Sequence, residues 1–297
     1  MCRWILDFLL QRAQVVRFNG LTSDTLVLNT GAPQGCVLSP YLYSIFTNDC
    51  GTQSTSVQMV KFADDTTLAG LISNADESEY RQEVVNLTQW CDDNNLLLNA
   101  SKTKEIVVDF RKKQTPMAPL VINGETIDQV VSFKFLGTTI SNDLKWEENT
   151  NNCVKKAQQR LYFLRQLKKF GLSSDILEIF YKSAVQSVLT FSISVWYGNT
   201  TTQQQRRLER VVKTASRIIG VDMPTLADVF RQRVGGRANT MINDCSHPGN
   251  HLFQLLPSGV RYRTVLAKTE RYRNSFFPRA VAQMNETDTS SRRSTAS

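Results

Sequence analysis

The sequence has little of what disulfide-stapled, zinc-binding or membrane-spanning proteins use. Its six cysteines, Cys2, Cys36, Cys50, Cys91, Cys153 and Cys245, are scattered and form no Cys-x-x-Cys pair. That spacing excludes a disulfide framework and fits a reduced, intracellular chain. Histidine is almost absent: His247 and His251 are the only two. With Cys245 they make three N/S ligands, one short of a structural zinc site. No apolar run is expected to be long enough to cross a membrane. The best, Ala184–Gly198, is broken by Gln186, Ser187, Ser192 and Ser194 and reads as a buried core helix. Asp7 and Arg12 interrupt the apolar N-terminus, which argues against a secretory signal. There is no internal repeat. With 41% hydrophobic and 21% charged residues, the 297-residue chain is neither disordered nor fibrous in composition, and it is long enough to bury a sizeable core.

Charge is present but divided. Residues 1–150 carry a net −6 and residues 151–297 a net +14. Carboxylates in the first half suit metal ions, and lysines and arginines in the second suit a polyanion; a solvated basic surface is the simpler alternative.

The pattern of apolar residues places the elements. Trp4–Leu10 has helical spacing. Gln14–Phe18 and Thr25–Leu28 form a hairpin about Asn19-Gly20. Ser39 is placed as the N-cap, with Pro40 in the first turn, of an apolar helix through Phe46. Val57–Phe62 and Thr66–Leu71 are strands joined by Ala63-Asp64-Asp65. Asp76–Asp92 is a helix, Glu105–Phe110 a strand, and Leu120–Ile122 and Val131–Leu136 are two short strands. From Asn149 the pattern is helical, with Val154, Ala157, Leu161, Leu164 and Leu167 on one face and Gly171 as a stop. Helices follow at Asp175–Tyr197 and Gln203–Ile219. Beyond Pro224 the chain is basic and weakly periodic, and Glu286–Ser297 is expected to be disordered. The fold class is α+β.

Phe62-Ala63-Asp64-Asp65 is the sharpest chemical feature. Apolar runs flank both sides, so two adjacent carboxylates sit on a tight turn, where they repel unless a cation neutralises them. An all-oxygen pair suits Mg²⁺, and metal pairs about 4 Å apart serve in-line phosphoryl displacement. An Asp-Asp turn chosen for its backbone geometry alone is the competing reading.

Three further segments stand in order around it. Asn29-Thr30-Gly31-Ala32-Pro33-Gln34-Gly35-Cys36-Val37-Leu38-Ser39-Pro40 lies upstream. Asn99-Ala100-Ser101-Lys102-Thr103-Lys104 and Phe133-Lys134-Phe135-Leu136-Gly137 lie downstream. The set resembles the reverse transcriptases of LINE-type (non-LTR) retrotransposons, as their motifs B, C (the Asp64-Asp65 turn), D and E. The resemblance continues through His247-Pro248, Leu255-Leu256-Pro257-Ser258-Gly259 and Arg261-Tyr262-Arg263.

The resemblance implies an incomplete right-hand polymerase palm with an antiparallel sheet centred on the Asp64 hairpin (1–143). A helical thumb (144–222) and a basic C-terminal segment (223–297) follow. It implies RNA-directed DNA polymerisation with Mg²⁺ or Mn²⁺, on an RNA template with a DNA primer and deoxynucleotides, in the cytoplasm and nucleus. Asp64 and Asp65 match the metal-binding aspartates. Lys102 matches a proton donor to the leaving pyrophosphate. Gly31, Gln34 and Gly35 match the loop beside nucleotide and template, with Phe62 and Ala63 on the hairpin. Leu136 and Gly137 match the primer grip. Arg261, Arg263, Arg271 and Arg273, interleaved with aromatics, suit single-stranded nucleic acid.

One departure stands out. The family's third aspartate, in motif A, is not matched; Asp7 in Leu6-Asp7-Phe8 reads as a helix-surface residue. Cys36 also stands where serine is more usual. The rival reading is therefore a nucleic-acid-binding remnant without enzymatic activity. A separate resemblance, of Asn94–Lys113 to a segment associated with AlkB-type dioxygenases that modify tRNA, implies iron held by two His and a carboxylate. His247 and His251 are the only histidines and no His-x-Asp exists, which sets it aside.

Overall fold

The computed structural model describes residues 2–111 and 117–294. Both helices and strands are present, as the α+β reading expects, and the chain divides into two compact units, Met1–Glu105 with Thr115–Asp128, and Ile106–Gln114 with Gln129–Ser297.

The first unit holds α1 (Cys2–Leu9), β1 (Arg12–Gln14), β2 (Arg17–Phe18), β3 (Leu21–Thr22), β4 (Leu26–Leu28), α2 (Leu38–Phe46), β5 (Val57–Phe62), β6 (Asp65–Gly70), α3 (Ser78–Asp93), β7 (Lys104–Glu105), β8 (Val121–Ile122) and β9 (Glu125–Thr126). The first hairpin is nested: β1 pairs β4 and β2 pairs β3. Asn19-Gly20, both at positive φ, closes the inner pair in the I′ geometry that matches strand twist. Asn123-Gly124 does the same between β8 and β9.

Several expectations are corrected here. The Asp64 hairpin is not the centre of a larger sheet: among the described residues β5 and β6 pair only with each other. Ser39 is not the N-cap of α2; Val37 is, the helix starts at Leu38, two residues earlier than expected, and the Ser39 hydroxyl instead donates to the Pro33 carbonyl at 2.5 Å. The expected strand over Glu105–Phe110 is reduced to β7. The core of this unit is small, with Val84, Leu120, Ile122 and Ile127 buried against Leu68, Tyr80, Leu98 and Ala100. Many large apolar side chains remain exposed, including Phe18, Leu21, Val37, Phe62 and Leu71.

After the short strand β10 (Asp128–Gln129), the second unit carries β11 (Ser132–Phe135), β12 (Thr138–Ser141), α4 (Glu147–Lys169), α5 (Ser174–Phe180), a π turn (Tyr181–Gln186), α6 (Ser187–Leu189), α7 (Ile193–Trp196), α8 (Thr202–Ile219), α9 (Leu226–Asn243), α10 (Glu270–Arg273) and α11 (Phe276–Ser294). The β11–β12 hairpin, expected in the first domain, belongs with these helices. The Thr139 N–H donates to Asn149 Oδ1 at the start of α4, 3.1 Å away. The expected face of α4 is the buried one, with Val154, Ala157, Leu161 and Leu164 inward. Helix α8 starts on a reciprocal capping box between Thr201 and Gln204 and stops at Gly220, φ 88°.

The expected single helix over Asp175–Tyr197 is broken. It widens into the π turn, stops at Thr190, and restarts after Ser192, which sits at φ 48°. The carbonyls this frees find guanidinium groups: Arg160 donates to the Ala184 carbonyl and Arg233 to that of Thr190. The stretch Ser174–Asn199 is, contrary to expectation, long and apolar enough by composition to cross a membrane. Here Tyr181, Val185, Leu189, Ile193 and Trp196 are fully buried in the protein core.

No boundary falls near residue 222. Leu226, Phe230, Val234 and Ala238 of α9 and Ala280 and Val281 of α11 join the same core as α4 and α8. Helix α11 continues to Ser294 across the stretch expected to be disordered, since no Gly or Pro stops it after Pro278; residues 295–297 lie outside the described residues. Cys36, Cys50, Cys91, Cys153 and Cys245 are free thiols.

The packing of the second unit can be tested at two positions. A Cβ at Gly137 would lie 2.9 Å from the Phe191 ring, at a backbone φ of 88° that costs an L-residue about 1–2 kcal/mol. Gly137→Ala should lower stability by at least that much in denaturant unfolding. Tyr181 is fully buried with its hydroxyl unpartnered, and burial pushes its pKa up from 10.0 to about 12, as it does for Tyr197. The folded state therefore holds these protons more tightly than the unfolded state, and stability falls as pH rises from 10 towards 12. Tyr181→Phe should flatten that loss in melting curves taken across this range, at little cost near neutral pH.

Candidate active site

Three clamps fix the segments that carry the predicted site in the first unit. The Arg12 guanidinium, at the junction of α1 and β1, donates to the carbonyls of Thr30 and Gly31, the latter at 3.0 Å. The Gln11 N–H adds a bond to Asn29 Oδ1 at 2.8 Å. This holds the start of the Gly31–Gly35 loop, where both glycines adopt positive φ (68° and 79°) that other residues adopt at a cost. Gln34 and Gly35 are exposed.

The second clamp is the Ser39–Pro33 bond, which folds the loop onto the first turn of α2. The third is Lys61. Its ammonium group donates to the carbonyls of Thr47 and Cys50, just past the C-terminus of α2, with the Cys50 bond at 2.7 Å. A cation is favoured at that end of a helix, where carbonyls lack partners. The lysine thereby ties β5 to α2.

At the end of β5 the chain reverses in two residues. Phe62 pairs with Asp65 and the turn is Ala63-Asp64. Ala63 stands at φ 52°, while Asp64 does not share the positive φ of an I′ turn. An alanine in this conformation costs about 1–2 kcal/mol relative to glycine, and such strain concentrates at functional sites. Asp64 is thus at the apex and Asp65 on the first rung of β6; both are exposed. Tyr43, from α2, is the neighbour that the sequence did not single out. Its pKa is raised, first by burial and then by the charge of Asp64. Its recoverable signal was its position one turn before the Lys61-bound end of α2.

Lys102 is exposed, and its N–H donates to Asn99 Oδ1 at 3.1 Å, a local side-chain bond that fixes the backbone there. Glu83, also unforeseen, is buried on α3 and accepts the N–H groups of Gln53 and Ser54 at 2.8 and 2.7 Å, ordering the entry to β5. Asp7 is exposed on α1, as expected.

The remaining predicted residues belong to the second unit. Leu136 and Gly137 form the I′ turn between β11 and β12. Arg261 and Arg263 are exposed. Arg271 lies over the Phe110 ring, 3.9 Å from its centroid, and Arg273 pairs with Glu270 at 3.0 Å. Of the interleaved aromatics, Tyr262, Phe276 and Phe277 pack on the core and only Tyr272 is exposed. The expected row of stacking rings is therefore mostly interior. His247 Nδ1 accepts the Gly249 N–H at 2.9 Å.

Residues 1–140 match the family described as reverse transcriptase (RNA-dependent DNA polymerase). Similar proteins from Drosophila melanogaster include a "Probable RNA-directed DNA polymerase from transposon BS" and an "RNA-directed DNA polymerase from mobile element jockey". They are 25% and 26% identical over 72% of this chain. The chain is thus similar to the reverse transcriptases of LINE-type retrotransposons. It spans about a quarter of the length of these relatives, 25% and 24%. The "Probable RNA-directed DNA polymerase from transposon X-element" of the same fly is 21% identical, again over 72% of this chain. No solved structure matches the chain significantly.

A second match, to the N-terminal part of "Alkylated DNA repair protein alkB homolog 8", falls on residues 146–187. The AlkB-type likeness is thus in α4 and the helices after it, rather than at Asn94–Lys113, whose last two residues lie outside the described ones. Residues 146–187 contain no histidine.

If Asp64 supports the raised pKa of Tyr43, Asp64→Asn should bring that pKa down towards the ordinary value of 10.0. NMR titration of ring-labelled tyrosine checks it; an unmoved Tyr43 would separate the two residues.

Proposed function

We propose that this chain supplies part of the catalytic centre of an RNA-directed DNA polymerase, acting on an RNA template, a DNA primer and deoxynucleotides. The observation that carries the reading is the strained two-residue turn that lifts Asp64, with Asp65 beside it, to the exposed tip of a hairpin. The donor set there is two carboxylates, and among the described residues no third His, Cys, Asp or Glu completes a metal cluster. Two oxygen donors suit a hard, mostly hydrated cation, Mg²⁺ or Mn²⁺. When bound, such a cation would neutralise phosphate charge as the nucleotidyl bond is exchanged.

This chain's own residues do the rest. Asp64 and Asp65 hold the cation, and Tyr43, kept neutral, flanks Asp64 without competing for it. The backbone of Gly31–Gly35, pinned by Arg12, faces nucleotide and template without side-chain bulk, and Gln34 contacts the template. Lys102 donates a proton to the departing pyrophosphate. Phe62 and Ala63 shape the turn against the primer end, and Leu136-Gly137 grips the primer. The work takes place inside the cell, in cytoplasm and nucleus.

A second reading, binding nucleic acid without catalysis, is favoured by the same count of two carboxylates. A two-metal reaction needs bridging ligands from more than one strand. Residues 1–297 by themselves are therefore expected not to extend a DNA primer on an RNA template in Mg²⁺. Adding the upstream palm and fingers of an intact relative, fused or in trans, should give synthesis that Asp64→Ala abolishes and Asp7→Ala leaves intact. Robust synthesis by residues 1–297 alone, lost on changing Asp7, would overturn this assignment of the carboxylates.

A further inference from the structure

Three sulfur-bearing side chains gather inside the first unit, and the proposed reaction uses none of them. Cys50, just past the C-terminus of α2, and Cys91, in the last turn of α3, are buried free thiols. The Cys50 thiol donates to the thioether of Met59 on β5, with Sγ and Sδ 3.9 Å apart. Phe46 of α2 and Trp90 of α3 meet with ring centroids 6.2 Å apart. That contact holds the two helix ends together and carries Cys91, the next residue after Trp90, towards Cys50. The thiols are electrostatic neighbours: the pKa of Cys91 is raised by burial and then by Cys50. Tyr43 senses both, after burial and Asp64.

A buried pair of thiols beside a thioether is a soft donor set. Among the described residues no three His, Cys, Asp or Glu side chains come together as metal ligands. A thioether makes the third donor here, and thiolate and thioether sulfur select Cu(I). The spacing fits. With metal–sulfur bonds of about 2.3 Å, the donors of a planar three-coordinate site lie about 4 Å apart, as Cys50 and Met59 already do. Three donors also disfavour zinc, whose structural sites are closed by four ligands.

The charge can be balanced as well. Two thiolates around a monovalent cation leave one negative charge in a buried place, which is costly without a partner. The Lys61 ammonium bonds the Cys50 carbonyl at 2.7 Å and supplies a positive charge beside the site. Burial raises the pKa of Cys50, and Lys61 opposes that rise. Binding exchanges protons for metal: two thiol protons leave to solvent as two metal–thiolate bonds form, and no electron is transferred.

We propose that Cys50, Cys91 and Met59 form a three-sulfur site for Cu(I), between the end of α2, the end of α3 and β5. The site is separate from the Asp64 turn, which suits a hard cation, and it does not depend on the polymerase reading.

The test uses the full chain carrying Cys2→Ser, Cys36→Ser, Cys153→Ala and Cys245→Ser, so that no other thiol contributes. Cu(I) is offered without oxygen as its coloured complex with bicinchoninate, and loss of colour measures transfer to the protein. The chain should withdraw one equivalent, gain a copper–thiolate absorption in the ultraviolet, and melt at a higher temperature with Cu(I) than without. Cys50→Ser and Cys91→Ser should each weaken binding by about 100-fold or more, at least the loss seen when a group that merely supports a ligand is removed. Met59→Leu preserves side-chain volume; it should weaken binding by about tenfold while leaving the metal-free melt nearly unchanged. That variant separates a lost ligand from a lost fold. A tenfold excess of Zn²⁺ should not displace the copper. Absence of transfer to the four-substitution chain, or affinity unchanged by any one of the three ligand substitutions, or displacement by Zn²⁺, would overturn the site, and each would leave the polymerase reading standing.

Discussion

The ammonium group of Lys61 holds the first unit's site together. Helix α2 has nine residues, none buried, and isolated helices shorter than about 12–15 residues are marginal in water. A two-stranded ribbon such as β5–β6 is no better by itself. Lys61 joins the two weak elements by bonding the Thr47 and Cys50 carbonyls from near the end of β5. Hydrogen bonds to a charged donor contribute about 1.5–3 kcal/mol each, so this one side chain is comparable to a buried leucine. It also sets geometry, since α2 brings Tyr43 alongside Asp64 and the loop before α2 carries Gly31–Gly35. The order of that region is electrostatic and polar, arranged around carbonyls that a lysine and an arginine have claimed.

The second unit is built on the opposite principle. One continuous apolar core runs from Trp146 to Val281, and polar side chains are used where the backbone departs from ideal helix. The π turn and the break at Thr190–Ser192 would leave carbonyls unsatisfied in the interior; Arg160 and Arg233 satisfy them, and the Trp196 indole N–H takes the Phe191 carbonyl at 2.9 Å. Gly198 packs so closely that a Cβ would meet the Asn274 carbonyl at 2.4 Å, which locks the chain before α11 to the centre of the helices. The C-terminal part is consequently structural on its inner side, where Ala280 and Val281 are fully buried.

Much of this was legible in the sequence, for identifiable reasons. Strong periodicity marked α4 and α8, Asn19-Gly20 marked the first hairpin, and Gly171 marked a helix end, because each signal is local. The Asp64 turn was legible because two carboxylates side by side between apolar strands repel each other unless a cation meets them. What sequence could not give was set by long-range contact. Helix α9 mixes Gly235, Gly236 and polar residues and becomes a helix because Phe230 and Val234 find a core. The break at Ser192 arises from packing, with no proline to announce it. Tyr43, Arg12 and Glu83 acquire their roles only when segments 14 to 30 residues apart are brought together. The arginines past residue 260 were visible as a pattern, but Phe110 and Glu270, which engage two of them, were not.

The unshared hairpin has a consequence for how the chain behaves in solution. The outer backbone groups of β5 and β6 pair with no other strand among the described residues. Val60 and Phe62, two apart and so on one face, are 52% and 62% exposed. Open edges beside exposed apolar rows are templates for a second strand. Lysine in such a strand ordinarily guards against this by carrying its charge into water, but Lys61 has turned its charge inward to α2. The interaction that builds the site thus removes the ribbon's own protection, and concentrated chain should associate edge to edge through it unless another segment lies along that edge.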